Sequence, residues 1–144
     1  MVELNEDDLN IFSSFEKVTR VMPTDYIATP SSLVFLVSQD SLGRAIGKKA
    51  SNIEKLRRYF RKRVIVVADS DEPEGFLRSF FGNVTISDIE SRNVMGETAM
   101  IMTVDEKDRG IAIGRDGERI KAAKALLKKK FNATVHLRTR RGSI

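Results

Sequence analysis

Two short stretches hold the residues best suited to chemistry, Gly47-Lys48-Lys49-Ala50 and Gly114-Arg115-Asp116-Gly117. Each sets a corner of small residues beside cations and runs straight into a segment with helical periodicity. The expected inward face of that segment is Ile53, Leu56 and Phe60 after the first corner, and Ile120, Ala123 and Leu127 after the second. Glycine lets the chain turn with positive φ and lets another backbone come close. A helix starting at such a corner offers unpaired N–H groups and the positive end of its dipole. Lys48 and Arg115 add charge at the same place. The chemistry implied is the holding of phosphates.

Bond-making chemistry has little material. The chain has no cysteine, which removes disulfides, thiolate metal sites and thiol nucleophiles. Its one histidine, His136, falls in ATVHLR and reads as a surface residue of a last strand. Asp69, Asp71, Glu72 and Glu74 read as a solvated turn rather than a metal site. GRAIGK is not a nucleotide-binding P-loop, because Gly43 and Gly47 are spaced too closely and no hydroxyl residue follows the lysine. GIAIGRDG lacks the dinucleotide-binding spacing as well. The expectation is a non-enzyme with no cofactor, no metal and no small-molecule substrate.

Charge points to the partner. Residues 44–63 hold nine Lys/Arg against Glu54 alone, and residues 115–144 hold ten against Asp116 and Glu118. The rest of the chain is net acidic, although the whole carries +5. Two basic blocks, one behind each corner, suit a polyanion. No apolar run is long enough for a membrane span, and the acidic start MVELNEDDLN is not a targeting signal. A cytoplasmic protein without a membrane partner is expected.

The two corners belong to a duplication. Gly47 and Gly114 stand 67 residues apart, and at that offset Gly43 meets Gly110, Ala45 meets Ala112 and Ile46 meets Ile113. Lys48 pairs with Arg115, Ile53 with Ile120, and Arg57 with Lys124. Strand-like runs flank each copy: 32–39 and 63–69 around the first, 97–105 and 132–138 around the second. Ahead of these, residues 4–22 predict a helix stopped by Pro23, with Ile11, Phe15, Val18 and Met22 on one face, followed by a strand over 25–29. In the second copy Pro73 opens a shorter helix, and residues 83–92 predict a strand before a turn at 93–96. Asp40 or Ser41 is expected to cap a short helix over 42–46, and Asp105 one over 106–113. Each copy therefore reads α-β-β-α-α-β, with the boundary in SDEPEG (70–75).

A Gly-x-x-Gly corner between two helices on that frame resembles the KH domain of type II topology, and the tandem pair resembles the NusA-like family of transcription factors. The resemblance covers nearly the whole chain and implies an α+β fold. It implies two tandem type II KH domains, 1–70 and 71–144, each with a three-stranded sheet packed on helices, the second ending in a basic C-terminal tail. It also implies that the corners grip about four nucleotides of single-stranded RNA. The implied RNA-binding residues are Gly43, Ile46, Gly47, Lys48, Lys49, Ala50 and Arg57 in the first copy. In the second they are Ile113, Gly114, Arg115, Asp116, Gly117, Lys121 and Lys124. The implied role is to hold nascent RNA and modulate transcription elongation or termination, with RNA polymerase a further candidate partner. The other reading is an RNA-binding or protein-interaction module in ribosome or RNP assembly, with the acidic first helix as a protein-facing surface.

Two departures from the pattern bear on the corners. Ala50 stands where the family has its last loop glycine, so the first copy is expected to bind more by charge than by close backbone contact. Asp116 puts a negative charge by the phosphates and is expected to turn outward and cap the next helix. Ile46, Ile53 and Val66, and Ile113, Ile120 and Val135, are candidates for a base-binding groove, against a plainer reading as core. Phe12, Phe15, Phe76, Phe80 and Phe81 read as packing residues, and RYFRKR (58–63) as a basic run in which Phe60 is buried.

Overall fold

Every residue of SLVFLV is buried, and this segment forms β2 (Ser32–Val37), the central strand of the first of two sheets. A strand apolar on both faces fits a middle position with no solvent side. β1 (Asp25–Ala28) lies antiparallel to it and β3 (Arg63–Ala68) parallel. A parallel partner needs a crossover, and α2 (Leu42–Ile46) and α3 (Ser51–Phe60) supply it. The computed structural model describes residues 6–141. It divides into two compact units, one up to Asp69 and the other from Ser70.

The first unit opens with α1 (Glu6–Thr19), whose first-turn acids Glu6, Asp7 and Asp8 suit the positive end of the helix dipole. Phe15 of α1 lies fully buried with its ring 4.3 Å from Phe35 of β2. Val21, Leu33, Val37, Ala45, Leu56 and Val64 join them in this core. The helix stops at Thr19 rather than running to Met22. Arg20 takes φ +61, and the Thr19 hydroxyl both donates to Phe15 O (2.9 Å) and accepts the Val21 N–H (3.0 Å). A left-handed residue with a local side-chain bond ends the helix before Pro23 is reached. The expected start at Leu4 lies outside the described residues. Tyr26 of β1 donates to Asp8, and burial together with that carboxylate pushes its phenol up to about 12.

The second unit repeats the order. α4 (Pro73–Phe80) starts with proline at its first turn and buries Phe76, Leu77 and Phe80. β4 (Ile86–Val94) and β5 (Glu97–Asp105) form an antiparallel hairpin, and β6 (Ala133–Arg140) joins β5 in parallel. Met95 (φ +52) and Gly96 (φ +84) make the two-residue turn, the twist such hairpins favour. The expected strand over 83–92 is shifted toward its C-terminus. Val84 is buried and bonds back to Phe81 O, and the Thr85 N–H is taken by the Asp108 carboxylate at 2.7 Å. That backbone bond, with the Thr85 hydroxyl, holds the Asp108 carboxyl below its usual range. α5 (Arg109–Ile113) and α6 (Glu118–Phe131) form the crossover. The last strand, expected over 132–138, runs on to Arg140. The fold is thus mixed α+β, with two three-stranded sheets.

Candidate nucleic-acid interface

The short helix α2 ends where the Gly47 N–H bonds back to Gly43 O at 3.0 Å, and α5 ends with the same bond from Gly114 to Gly110, also 3.0 Å. The backbones then follow one path. Gly47 lies at φ 81, ψ 165 and Gly114 at φ 78, ψ 175. Two residues on, Lys49 (φ 54, ψ 35) and Asp116 (φ 54, ψ 24) turn left-handed. The next residues do the same, Ala50 at φ 59, ψ 28 and Gly117 at φ 73, ψ 11. α3 and α6 begin at once, and no side chain caps either start. The N–H of each helix's first residue instead bonds back into the loop, Ser51 to Lys48 O and Glu118 to Arg115 O.

Glycine is required at the first loop position for space as well as for φ. A Cβ on Gly114 would lie 2.6 Å from Arg119 Cβ and 3.0 Å from its backbone N, and one on Gly47 would lie 3.0 Å from Asn52 N. The last loop position is open. A Cβ on Gly117 would meet nothing nearer than Lys121 Cε at 3.6 Å. Ala50 occupies that position in the first unit and still takes the left-handed conformation. An L-residue there is strained by about 1–2 kcal/mol, partly offset by the entropy glycine would lose. Ala50→Gly is accordingly predicted to raise stability in urea unfolding by roughly 0.5–1 kcal/mol. An unchanged or lower midpoint would contradict the strain.

Sequence reasoning did not find the residues that hold the corners shut. Asn52 Nδ2 donates to Arg44 O, and Arg119 Nη1 donates to Ile111 O, both at 3.0 Å. The two positions are equivalent in the duplication, and each ties the end of the short helix to the first turn of the long one. Arg119 goes further, donating to Phe80 O at 3.2 Å and to Asn83 Oδ1, with its guanidinium 5.1 Å over the Phe81 ring. Only its place at the common offset hinted at this, since asparagine and arginine share no residue type.

The other predicted residues fall as follows. Lys48, Lys49, Arg115 and Asp116 are exposed at the corners, and Lys121 and Lys124 are exposed on α6. Gly43 is exposed on α2, while Ile46 and Ile113 are half-buried beside the first loop glycines. Arg57 is exposed and pairs with Glu54 at 3.3 Å, an exposed pair that holds it weakly. Asp116 does not cap α6, whose cap position is Gly117. Ile53, Ile120 and Val66 are half-buried, but Val135 is 1% exposed and belongs to the core, not to a groove. Phe15, Phe76, Phe80 and Phe81 are buried as packing residues. Within the second basic block, Arg119 is taken by the latch and Lys128 by Glu97 at 2.9 Å. Among the described residues there is no cluster able to hold a metal and no helix long and apolar enough to cross a membrane.

Comparison with known proteins places this geometry among relatives. Residues 73–141 match the KH domain family. The chain is 32% identical to a Halococcus morrhuae protein named "Probable transcription termination protein NusA", over 91% of this chain and 94% of the relative. A Methanocaldococcus jannaschii protein of the same name is 25% identical, over 92% of this chain and 73% of its own length. The crystal structure of APE1850 superposes with a TM-score of 0.80 at 32% identity, over 95% of this chain and all of that one.

Proposed function

Because this chain belongs to the NusA-like family of KH proteins, we propose that both of its units are type II KH domains, 1–70 and 71–144, whose corners hold single-stranded RNA. The observation that carries this reading is the shared backbone path. Two segments with different side chains follow one course from glycine to two left-handed residues to an uncapped helix start. Lys49, Ala50 and Asp116 take left-handed conformations that are costly for them, and the course is the same in both units although only its first position, Gly47 or Gly114, is glycine in both.

In this reading Gly47 and Gly114 let the sugar-phosphate strand approach, and Lys48, Lys49 and Arg115 neutralise its phosphates. Ala50 and Gly117 set the start of the following helix. Ile46 and Ile113 stand beside the first bases, while Lys121, Lys124 and Arg57 extend the charge along α6 and α3. Gly43 keeps the outer surface of α2 low, and Asp116 faces solvent. The RNA is the nascent transcript, and holding it modulates elongation or termination, with RNA polymerase the partner that brings it near. The relatives' name supports that role.

A salt titration tests the binding. Affinity for an unstructured RNA of about a dozen nucleotides should fall with a log–log slope of about −3 if roughly four phosphates are neutralised. A duplex of the same sequence should bind more weakly. Salt-independent binding, or none, would remove the proposal.

A further inference from the structure

α3 and α6 are equivalent helices with one flank that differs. On α6 that flank carries Ala122 and Leu126, both buried. The equivalent residues of α3 are Lys55 and Tyr59. Tyr59 is 62% exposed and is the one exposed aromatic side chain among the described residues.

The ring is held in place. It meets Phe60 edge-on at 5.1 Å, Phe60 lies 6.0 Å from Phe35, and Phe35 packs on Phe15, so a chain of rings runs from core to surface. Its hydroxyl accepts a hydrogen bond from Ser14 of α1 at 3.1 Å. A side chain fixed at both ends loses little freedom when a ligand settles on it.

The surroundings are cationic. Lys55 lies one turn back, Arg58 adjoins, and Arg61, Lys62 and Arg63 follow the helix. Lys62 donates to Thr29 O at 3.0 Å. Lys55, Arg58, Arg61 and Arg63 pair with no described acid, and Glu54, the one acid of α3, is turned to Arg57. An exposed ring among unpaired cations matches the platform-and-funnel arrangement that holds unpaired nucleic acid. With a rise of about 1.5 Å per residue, Tyr59 stands roughly 12 Å along α3 from the corner.

We infer that Tyr59, flanked by Lys55 and Arg58, is a second contact for single-stranded RNA on the first unit, with a base stacked on the phenol ring and its phosphates against the cations. This rests on the RNA-binding reading above but uses a surface outside the corner. Stacking of this kind tolerates any base, so the site adds affinity more than sequence choice.

The chain has no tryptophan, so Tyr59→Trp installs a single reporter. Its emission should be quenched by an RNA of about a dozen nucleotides, and Tyr59→Ala should bind that RNA about fivefold or more weakly. Tyr59→Phe, which keeps the ring, should bind like the parent and remains informative if the alanine variant folds poorly. An unquenched tryptophan at saturating RNA, or a folded Tyr59→Ala with parental affinity, overturns the inference. If Lys48→Asp with Lys49→Asp loses RNA while the Tyr59 variants do not, only this site falls. A parent protein that binds no RNA takes the proposed function with it.

Discussion

A chain carrying Lys48→Asp, Lys49→Asp and Gly117→Asp is expected to lose about a hundredfold in single-stranded RNA affinity, close to 2.8 kcal/mol, while keeping its fold. Lys48 and Lys49 are exposed and sit ahead of an uncapped helix start, so reversing them changes the field at the corner without disturbing packing. Gly117 is chosen over Gly114 on steric grounds. The Gly117 position has room for a Cβ, with Lys121 Cε at 3.6 Å and Nζ at 4.0 Å, whereas Gly114 is walled by Arg119. Aspartate tolerates the left-handed conformation better than most residues, and Ala50 shows that the equivalent position accepts a side chain. A carboxylate at position 117 also draws the Lys121 ammonium away from the strand. Fluorescence anisotropy gives the affinity, and far-UV circular dichroism with a thermal melt checks the fold. Parental affinity in a folded variant would show that RNA does not bind at these corners.

What could be read from the residues alone was mainly local or repeated. The corners declare themselves because glycines, cations and a helical pattern lie within a few positions of each other, twice, at one offset. Central strand β2 was legible as a continuous apolar run. Helix ends set by single hydrogen bonds were less so. Nothing in KVTRVMP announces that the Thr19 hydroxyl will take the Val21 N–H and stop α1 ahead of the proline. Val135 alternates as a groove residue would, yet it faces the core, because periodicity tells two sides of a strand apart without saying which is buried. Nothing in RYFRKR announces that Ser14 and Phe60 will hold the Tyr59 ring in place at the surface. The latch was least visible. The partners of Arg119 lie 8, 36 and 39 residues away, and two of the three are backbone carbonyls that carry no residue identity.

That latch gives the second large effect. Arg119→Ala is expected to destabilise the second unit by about 2–3 kcal/mol, while Asn52→Ala should cost the first unit only about 1 kcal/mol. Asn52 makes one neutral hydrogen bond to a carbonyl. Arg119 makes three from a charged group, to Ile111 O, Phe80 O and Asn83 Oδ1, and lies over the Phe81 ring. Its removal leaves Phe80 O without that donor beside buried Phe80 and Phe81, and forfeits a cation–π contact of about 0.5–1 kcal/mol. Arg119→Lys should recover little, because an ammonium cannot reach three acceptors held in a planar fan. The same bond from Arg119 to Ile111 O fixes the end of α5 against α6, so a loosened corner should also lose RNA affinity, though no phosphate-facing charge has been touched. Urea unfolding followed by circular dichroism reads the stability difference, and anisotropy in native buffer reads the binding. Equal costs at the two positions would mean that the extra bonds of Arg119 contribute nothing. A destabilised variant with parental RNA affinity would separate the latch from the geometry of the corner.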